Sequence, residues 1–156
     1  MDKFRLDGPA DAKAELEQLM EFNGIASRHE GQDYRFLLSS KGLKWETLCR
    51  PTEDGAVLIY GIYPFRVCDG KKAEAFCRRV NAAARYGAML YQDETLLFRI
   101  GADLFDVFSA DETLGRALEY SAGIMVRFWV QAASVAESVS GSQNDKQNQS
   151  PKNKKF

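Results

Sequence analysis

Side chains that could perform catalysis are few in this sequence, and their spacing argues against a reaction centre. The 156 residues include one histidine, His29, and three cysteines, Cys49, Cys68 and Cys77, with no Cys-x-x-Cys pair. A zinc site needs about four such ligands, and a nucleophile needs a neighbouring base, so neither is predicted. We expect a non-enzymatic protein without metal or cofactor, with His29 on the surface and the three cysteines reduced and buried.

A second set of candidates is a group of acids, Asp103, Asp106, Asp111 and Glu112. Such a group could bind a divalent cation, but it lacks the Asp-x-Asp-x-Asp-Gly order of a calcium loop. Acids are also favoured at helix N-termini, near the positive end of the helix dipole. We therefore interpret the group as a turn followed by a helix start. The glycine patterns that cradle phosphate, GxGxxG and GxxxxGK[ST], do not occur in the sequence.

One helix has a basic face that could bind an anionic partner. Asp69 can cap this helix, which we predict from about Gly70 to Tyr86. Its apolar face comprises Ala73, Phe76, Cys77, Val80, Ala83, Ala84 and Gly87, and its opposite face comprises Lys71, Lys72, Arg78, Arg79 and Arg85. Nucleic acid or an acidic protein segment would fit that basic face, although such faces are more often simply solvated. The whole chain has a net charge of −1, which argues against a general binder of nucleic acid.

The elements around this helix are predicted to be an antiparallel meander before it and a hairpin after it. The meander strands are Asp33 to Ser39, Leu43 to Arg50 and Ala56 to Tyr63, with Pro64 ending the third. The hairpin strands are Ala88 to Gln92 and Leu96 to Ile100, and Leu104 to Phe108 forms a short strand or an extended connection. Strand aromatics are interpreted as core rather than as a platform for stacking RNA bases: Tyr34, Phe36, Tyr60 and Tyr63.

A helix is predicted at each end of this arrangement. The first runs from Pro9 to about Phe22, with Asp7 as its cap and Gly24 as its stop. The last begins with a capping box, Ser109-x-x-Glu112, and reaches Val135 or Val139. Its apolar residues alternate spacings of four and three, as in a coiled-coil seam: Leu114, Leu118, Ser121, Met125, Phe128, Ala132, Val135 and Val139.

Four further residues widen the apolar surface of the last helix beyond that seam: Ile124, Val126, Trp129 and Val130. The sheet covers one side of such a helix, so a second apolar side needs another partner. We expect a homodimer through these residues and the neighbouring sheet surface. The alternative is that the first helix and the Leu104 to Phe108 connection cover the second side within one chain.

Composition sets the class of protein and its domain organisation. With 45% apolar and 28% charged residues, the chain reads as a soluble globular protein of about one domain. We predict one α+β domain over residues 1–139 and a disordered, basic, polar tail over residues 140–156, which contains four lysines and one acid. The longest apolar run, Ala56 to Tyr63, is too short to span a bilayer, so a cytoplasmic location is expected.

The segment from Phe76 to Val135 resembles the YbjN family of small bacterial proteins. The resemblance lies in a helix with the sequence Arg79-Val80-Asn81-Ala82-Ala83, the strand residues Tyr86 to Leu90, the turn Asp93-Glu94, the strand residues Leu97-Phe98-Arg99, and a long helix from Ser109. It implies an α+β fold like that of type III secretion chaperones, with an N-terminal helix, a middle amphipathic helix and a long C-terminal helix on an antiparallel meander sheet. It also implies a non-enzymatic role, since the family is described as sensory-transduction regulators and the secretion chaperones bind polypeptides and dimerise.

The sequence therefore favours a cytoplasmic interaction or regulatory module that binds a partner polypeptide in a chaperone-like manner. The alternative is a protein that binds nucleic acid or another anion through the basic face of the 70–86 helix.

Overall fold

The computed structural model describes residues 10–136, which form an α+β arrangement of one antiparallel sheet and several helices. The strands are β1 (Arg28–Glu30), β2 (Asp33–Ser40), β3 (Leu43–Pro51), β4 (Ala56–Arg66), β5 (Ala88–Gln92) and β6 (Thr95–Asp103). The helices are α1 (Ala12–Phe22), α2 (Gly70–Ala83) and α3 (Ala110–Arg127), and residues 129–136 are also helical. The predicted tail at residues 140–156 lies outside the described residues. Among the described helices, none is long and apolar enough to cross a membrane.

The six strands lie in the order β1-β2-β3-β4-β6-β5, and every neighbouring pair is antiparallel. The meander β2-β3-β4 is as predicted, because tight turns join strands whose side chains alternate between two faces. The hairpin joins the meander through β6, with Leu58 of β4 opposite Gly101 and Ile62 opposite Leu97. The last strand in sequence therefore lies inside the sheet, while β5 forms an edge.

Helices α1, α2 and α3 pack on the same face of the sheet. In β4 the side chains that face them are Val57, Ile59 and Tyr63, each at most 1% exposed. The ring of Phe76 from α2 lies 6.3 Å from the ring of Tyr63, and Met125 of α3 accepts a hydrogen bond at its backbone oxygen from Tyr63 Oη at 2.9 Å. These contacts place the core between the sheet and a single layer of helices.

Gly61 sets how closely α3 approaches the sheet. A Cβ atom at Gly61 would lie 3.1 Å from the side chain of Met125 and 3.3 Å from Ser121 Oγ. Ser121 is 1% exposed in the middle of α3, so a small residue on the helix lies over a strand residue without a side chain. This close contact explains why the predicted coiled-coil seam contains Ser121: the seam packs on the sheet within one chain.

The middle helix follows the prediction at its start and departs from it at its end. The carboxylate of Asp69 accepts hydrogen bonds from the backbone N–H groups of Lys71 and Lys72, as expected of a cap, and Phe76 and Val80 are fully buried. The prediction was wrong about Ala83, which is exposed, and about the end at Tyr86, because the helix stops at Ala83. The backbone turns extended at Ala84, with φ −74° and ψ 135°, and residues 84–87 then connect the helix to β5.

Several predicted boundaries are also corrected. The N-cap of α1 is Asp11 rather than Asp7, since Asp11 Oδ1 accepts from Ala14 N–H. Pro64 does not end β4, which continues to Arg66 through a register irregularity after Ile62. Ser109 makes no side-chain hydrogen bond as a cap of α3, so the predicted capping box does not form. Of the two alternatives predicted for Leu104 to Phe108, the connection is the one that forms, and Leu104 N–H donates to Gly55 O.

The last helix reaches the predicted Val135, but it is interrupted at Phe128, which was not predicted. This residue has φ −105° and ψ 13°, and it separates α3 from the helical residues 129–136. Hydrogen bonds from Phe128 N–H to Ile124 O and from Ala132 N–H to Phe128 O keep the two pieces in line. Phe128 itself is buried against Phe76, with ring centroids 6.5 Å apart. Packing against Phe76 therefore stabilises Phe128 at the point where the helix is distorted.

Candidate functional site

The residues that the sequence suggested for chemistry do not come together. His29 is exposed on edge strand β1, which was not predicted, and its ring stacks on Tyr34 at 4.2 Å. Cys49 is buried, Cys77 is half-buried and Cys68 is exposed, so the expectation of burial was wrong for Cys68. Burial raises the pKa of the Cys49 thiol to about 12, which keeps it protonated and unreactive.

The acidic group near α3 does not form a cation site among the described residues. Asp111 and Glu112 lie in the first turn of α3, as predicted for acids beside a helix N-terminus. Asp106 Oδ1 accepts from Phe108 N–H in the preceding turn. Within residues 10–136, no three His, Cys, Asp or Glu side chains are arranged to hold a metal ion.

The predicted basic face of the middle helix is divided in the structure. Lys71, Lys72, Arg78 and Arg79 are exposed along α2. Arg85 lies beyond the end of that helix, where its backbone N–H donates to Tyr120 Oη at 2.7 Å. The five residues therefore do not form one continuous face.

The residues predicted to form a dimer surface have different environments. Ile124 is buried within the chain, and the ring of Trp129 lies 5.3 Å from that of Phe65 and 5.5 Å from that of Tyr63. Val126 is half-buried, whereas Val130 is 76% exposed. The surplus apolar surface of the last helix is thus mostly used inside one chain, and only Val130 is widely exposed. The homodimer itself stays a prediction.

The second face of the sheet has an apolar strip that no described helix covers. Strand side chains alternate between faces, so the neighbours of the buried positions point away from the helices. On β4 these outward positions are Leu58, Tyr60 and Ile62, and all three are half-buried. Tyr60 was predicted to lie in the core and is instead part of this strip. The strip consists of the half-buried residues Leu58, Tyr60, Ile62, Leu90 and Leu97, and it ends at Leu48, which is already buried.

Strand register makes the strip continuous across four strands. Leu48 of β3 is opposite Tyr60 of β4, and Ile62 of β4 is opposite Leu97 of β6. Leu97 is in turn opposite Leu90 of β5. A half-solvated antiparallel sheet normally alternates apolar and polar residues, with the polar ones outward. The outward positions of β4 break that rule.

Charged residues border the strip on the β2–β3 side, and they form ion pairs with one another. Glu46 accepts hydrogen bonds at 2.9 Å from both Arg28 and Arg35. Arg50 donates to both carboxylate oxygens of Asp33, at 2.6 and 3.0 Å. The hydrogen bond and charge of Arg50 hold the pKa of Asp33 below its usual value.

The cation that lies beside the strip on β6 has no such partner. Arg99 of β6 lies opposite Tyr60, is exposed, and makes no ion pair with any residue in the described range. The apolar strip therefore adjoins a positive charge that remains available to a ligand.

Sequence reasoning did not identify this surface, although one signal for it was present. The run Ala56 to Tyr63 is apolar at every position, a pattern typical of a strand covered on both faces. Such a run predicts that something covers the second face, but it does not say which residues of neighbouring strands complete the surface.

The fold belongs to the class of α+β proteins in which helices cover one face of an antiparallel sheet. No family model matches the chain, and no curated protein matches it. Among solved structures it is similar to YbjN from E. coli, described as "a putative transcription regulator", with a TM-score of 0.56 and 13% sequence identity. The similarity covers 82% of this chain and 97% of that chain. At this level of identity it establishes a YbjN-like fold, as the sequence predicted, and nothing about function.

Proposed function

We propose that this protein is a non-enzymatic interaction module that binds a helix of a partner polypeptide on the apolar strip. The observation that carries the proposal is that the outward side chains of β4 are apolar where solvent-facing side chains are expected. Covering them would remove apolar surface from water, which is worth roughly 25 cal/mol per Å². The partner therefore needs an apolar stripe of its own.

The size of the strip favours a helix over a second copy of the chain. Four strands about 4.8 Å apart span roughly 14 Å, and the distance along the strand from Leu58 to Ile62 is roughly 13 Å. A helix with its side chains is about 10–12 Å across, which matches that width. A stable dimer buries about 800 Å² on each partner, several times the area of this strip. A small interface of this kind is typical of transient regulatory complexes.

Charge supports a particular kind of helix. The arginines on the β2–β3 side are neutralised by Glu46 and Asp33, whereas Arg99 is not. A carboxylate on the partner helix beside its apolar stripe would pair with Arg99 and fix the orientation of the helix on the sheet. The partner is thus an amphipathic helix with an acidic flank. Binding of this kind is compatible with either a regulatory or a chaperone-like role.

Site-specific photo-crosslinking tests the proposal in cells that express the full chain. The crosslinker is placed at Ile62 or Leu97 in the strip, and at Arg79 on α2 as the matched control on the other side of the molecule. We expect adducts with another polypeptide from the strip positions and none from Arg79. Mass spectrometry of the adduct must locate the crosslink in an amphipathic helical segment with acidic residues.

A synthetic peptide of that segment then provides a binding measurement with the purified protein. We expect Ile62→Ser to weaken binding about 10-fold, as loss of a buried aliphatic side chain predicts. Lys44→Ser, on the same face but outside the strip, is the control and should leave binding unchanged. An adduct of two copies of this chain would contradict the proposal. A nuclease-sensitive adduct at Arg79, with none in the strip, would also contradict the proposal, and it would support the nucleic-acid alternative instead.

A further inference from the structure

A hollow of about 700 Å³ lies between the end of α2 and the outer side of α3, away from the apolar strip. Its walls come from the segment after α2, from β6 and from the first half of α3. The residues that matter for the argument are Arg85, Tyr86, Gly101, Thr113, Arg116 and Tyr120. The pairing of β5 with β6 begins at Ala88 and Arg99, so Gly101 of β6 has no partner in β5. The backbone of Gly101 therefore forms part of the lining of the hollow.

Two arginines line this hollow, and neither is strongly engaged elsewhere. Arg85 makes no ion pair with any described residue, and its guanidinium carbon lies 5.9 Å from the ring centroid of Tyr86. Arg116 pairs with Glu112 one turn earlier on α3, at 3.1 Å, with both side chains largely exposed. An exposed i,i+4 pair contributes little to stability, so Arg116 can exchange Glu112 for another anion.

Two hydroxyl groups add further donors at the same place. Tyr120 Oη accepts the hydrogen bond from Arg85 N–H at 2.7 Å, and within residues 10–136 nothing accepts its own hydrogen. Thr113 Oγ1 likewise has no hydrogen-bond partner in that range. The hydrogen bond to Tyr120 also holds the backbone of Arg85 beside α3. It therefore links the segment after α2, which contains Arg85, to the helix that contains Thr113 and Arg116.

The geometry points to a binding site for the phosphate group of a small organic phosphate. A phosphate monoester presents three terminal oxygens and close to two negative charges, which suits two arginines and two hydroxyls. A carboxylate has only two oxygens and one charge, so it would leave donors unsatisfied. Tyr86, exposed at the rim and 5.3 Å from the ring of Tyr120, offers an apolar surface to the organic part of the ligand. The volume lies within the range of small-molecule sites.

This site is separate from the strip and does not depend on the proposed function. It also gives Arg85 a role different from that of Lys71, Lys72, Arg78 and Arg79, from which the end of α2 separates it.

Titration calorimetry with phenyl phosphate tests the inference on the full chain, with benzoate as the carboxylate of similar shape. We expect phenyl phosphate to bind in the micromolar to millimolar range and benzoate to bind at least about 10-fold more weakly, because it loses charge-assisted hydrogen bonds. Arg85→Gln and Arg116→Gln should each weaken the binding of phenyl phosphate about 10-fold. Glu112→Gln removes the ion-pair partner of Arg116 and should tighten the binding of phenyl phosphate.

The controls separate this site from general basic charge and from misfolding. Lys71→Gln and Arg78→Gln remove cations outside the hollow and should leave the affinity unchanged. Thr113→Val removes one hydroxyl at nearly constant volume and should weaken binding without altering the thermal melt. Absence of binding at millimolar phenyl phosphate, equal binding of benzoate, or an affinity unaffected by both arginine substitutions would each overturn the inference.

Discussion

Adding a single methyl group at Gly87 should destabilise this fold strongly. It has φ +73° in the segment that turns the chain from α2 into β5. A Cβ atom there would lie 2.6 Å from the backbone oxygen of Arg99 and 2.8 Å from Cζ of Phe98. The oxygen belongs to the sheet and Phe98 is fully buried, so neither neighbour can move freely. Gly87→Ala therefore combines backbone strain with a steric clash.

The two effects have separate magnitudes. Placing a residue with a side chain in the left-handed region costs about 1–2 kcal/mol. Forcing an extra carbon into packed surroundings typically costs about 1–3 kcal/mol. The free energy of unfolding should thus fall by about 2–5 kcal/mol, a large part of the ~5–15 kcal/mol available to a domain.

Gly24→Ala is the matched control, because Gly24 also has positive φ, at +65°, but nothing lies within 4 Å of its Cβ position. That variant should lose only the backbone contribution. Urea unfolding measures the free energy of unfolding of both variants. Tryptophan fluorescence can follow it because Trp45 is buried and becomes exposed on unfolding, and its ring lies 6.1 Å from that of Trp129. Equal losses for the two variants would refute the claim that the sheet and Phe98 restrict the space at Gly87.

Three further predictions concern the core, the assembly and the thiols. Val80→Asp places an unpaired charge at a fully buried position of α2 and should cost several kcal/mol, lowering the melting temperature steeply; an unchanged melt would show that the helix packs another way. Val130→Lys should leave the fold intact, because Val130 is exposed, and should dissociate the predicted homodimer in sedimentation equilibrium; a wild-type chain that is monomeric throughout the micromolar range would contradict the dimer. Iodoacetamide at pH 8 should modify Cys68 quickly and Cys49 only on unfolding, as followed by mass spectrometry, because Cys49 is buried and its pKa is raised to about 12; rapid modification of native Cys49 would contradict this.

Elements whose signals are local could be predicted from the sequence alone. Alternating side chains and Pro- and Gly-containing turns specified β2, β3 and β4, and the spacing of Phe76 and Val80 specified the buried face of α2. These signals act over a few residues, through strand periodicity, helix periodicity and caps. The order of these elements led to the resemblance to the YbjN family, and the structural similarity confirms a YbjN-like fold.

Which surfaces of those elements pack against one another could not be predicted from the sequence. The run Ala56 to Tyr63 is apolar on both faces, so nothing in it says which face the helices cover. The same holds for Trp129, which the sequence placed on a dimer surface and which packs against Phe65 and Tyr63 of its own chain. The apolar strip and the arginine-lined hollow each combine residues from elements far apart in sequence. Their positions depend on long-range packing, which single-chain periodicity does not encode, because periodicity fixes the direction of a side chain but not what lies opposite it.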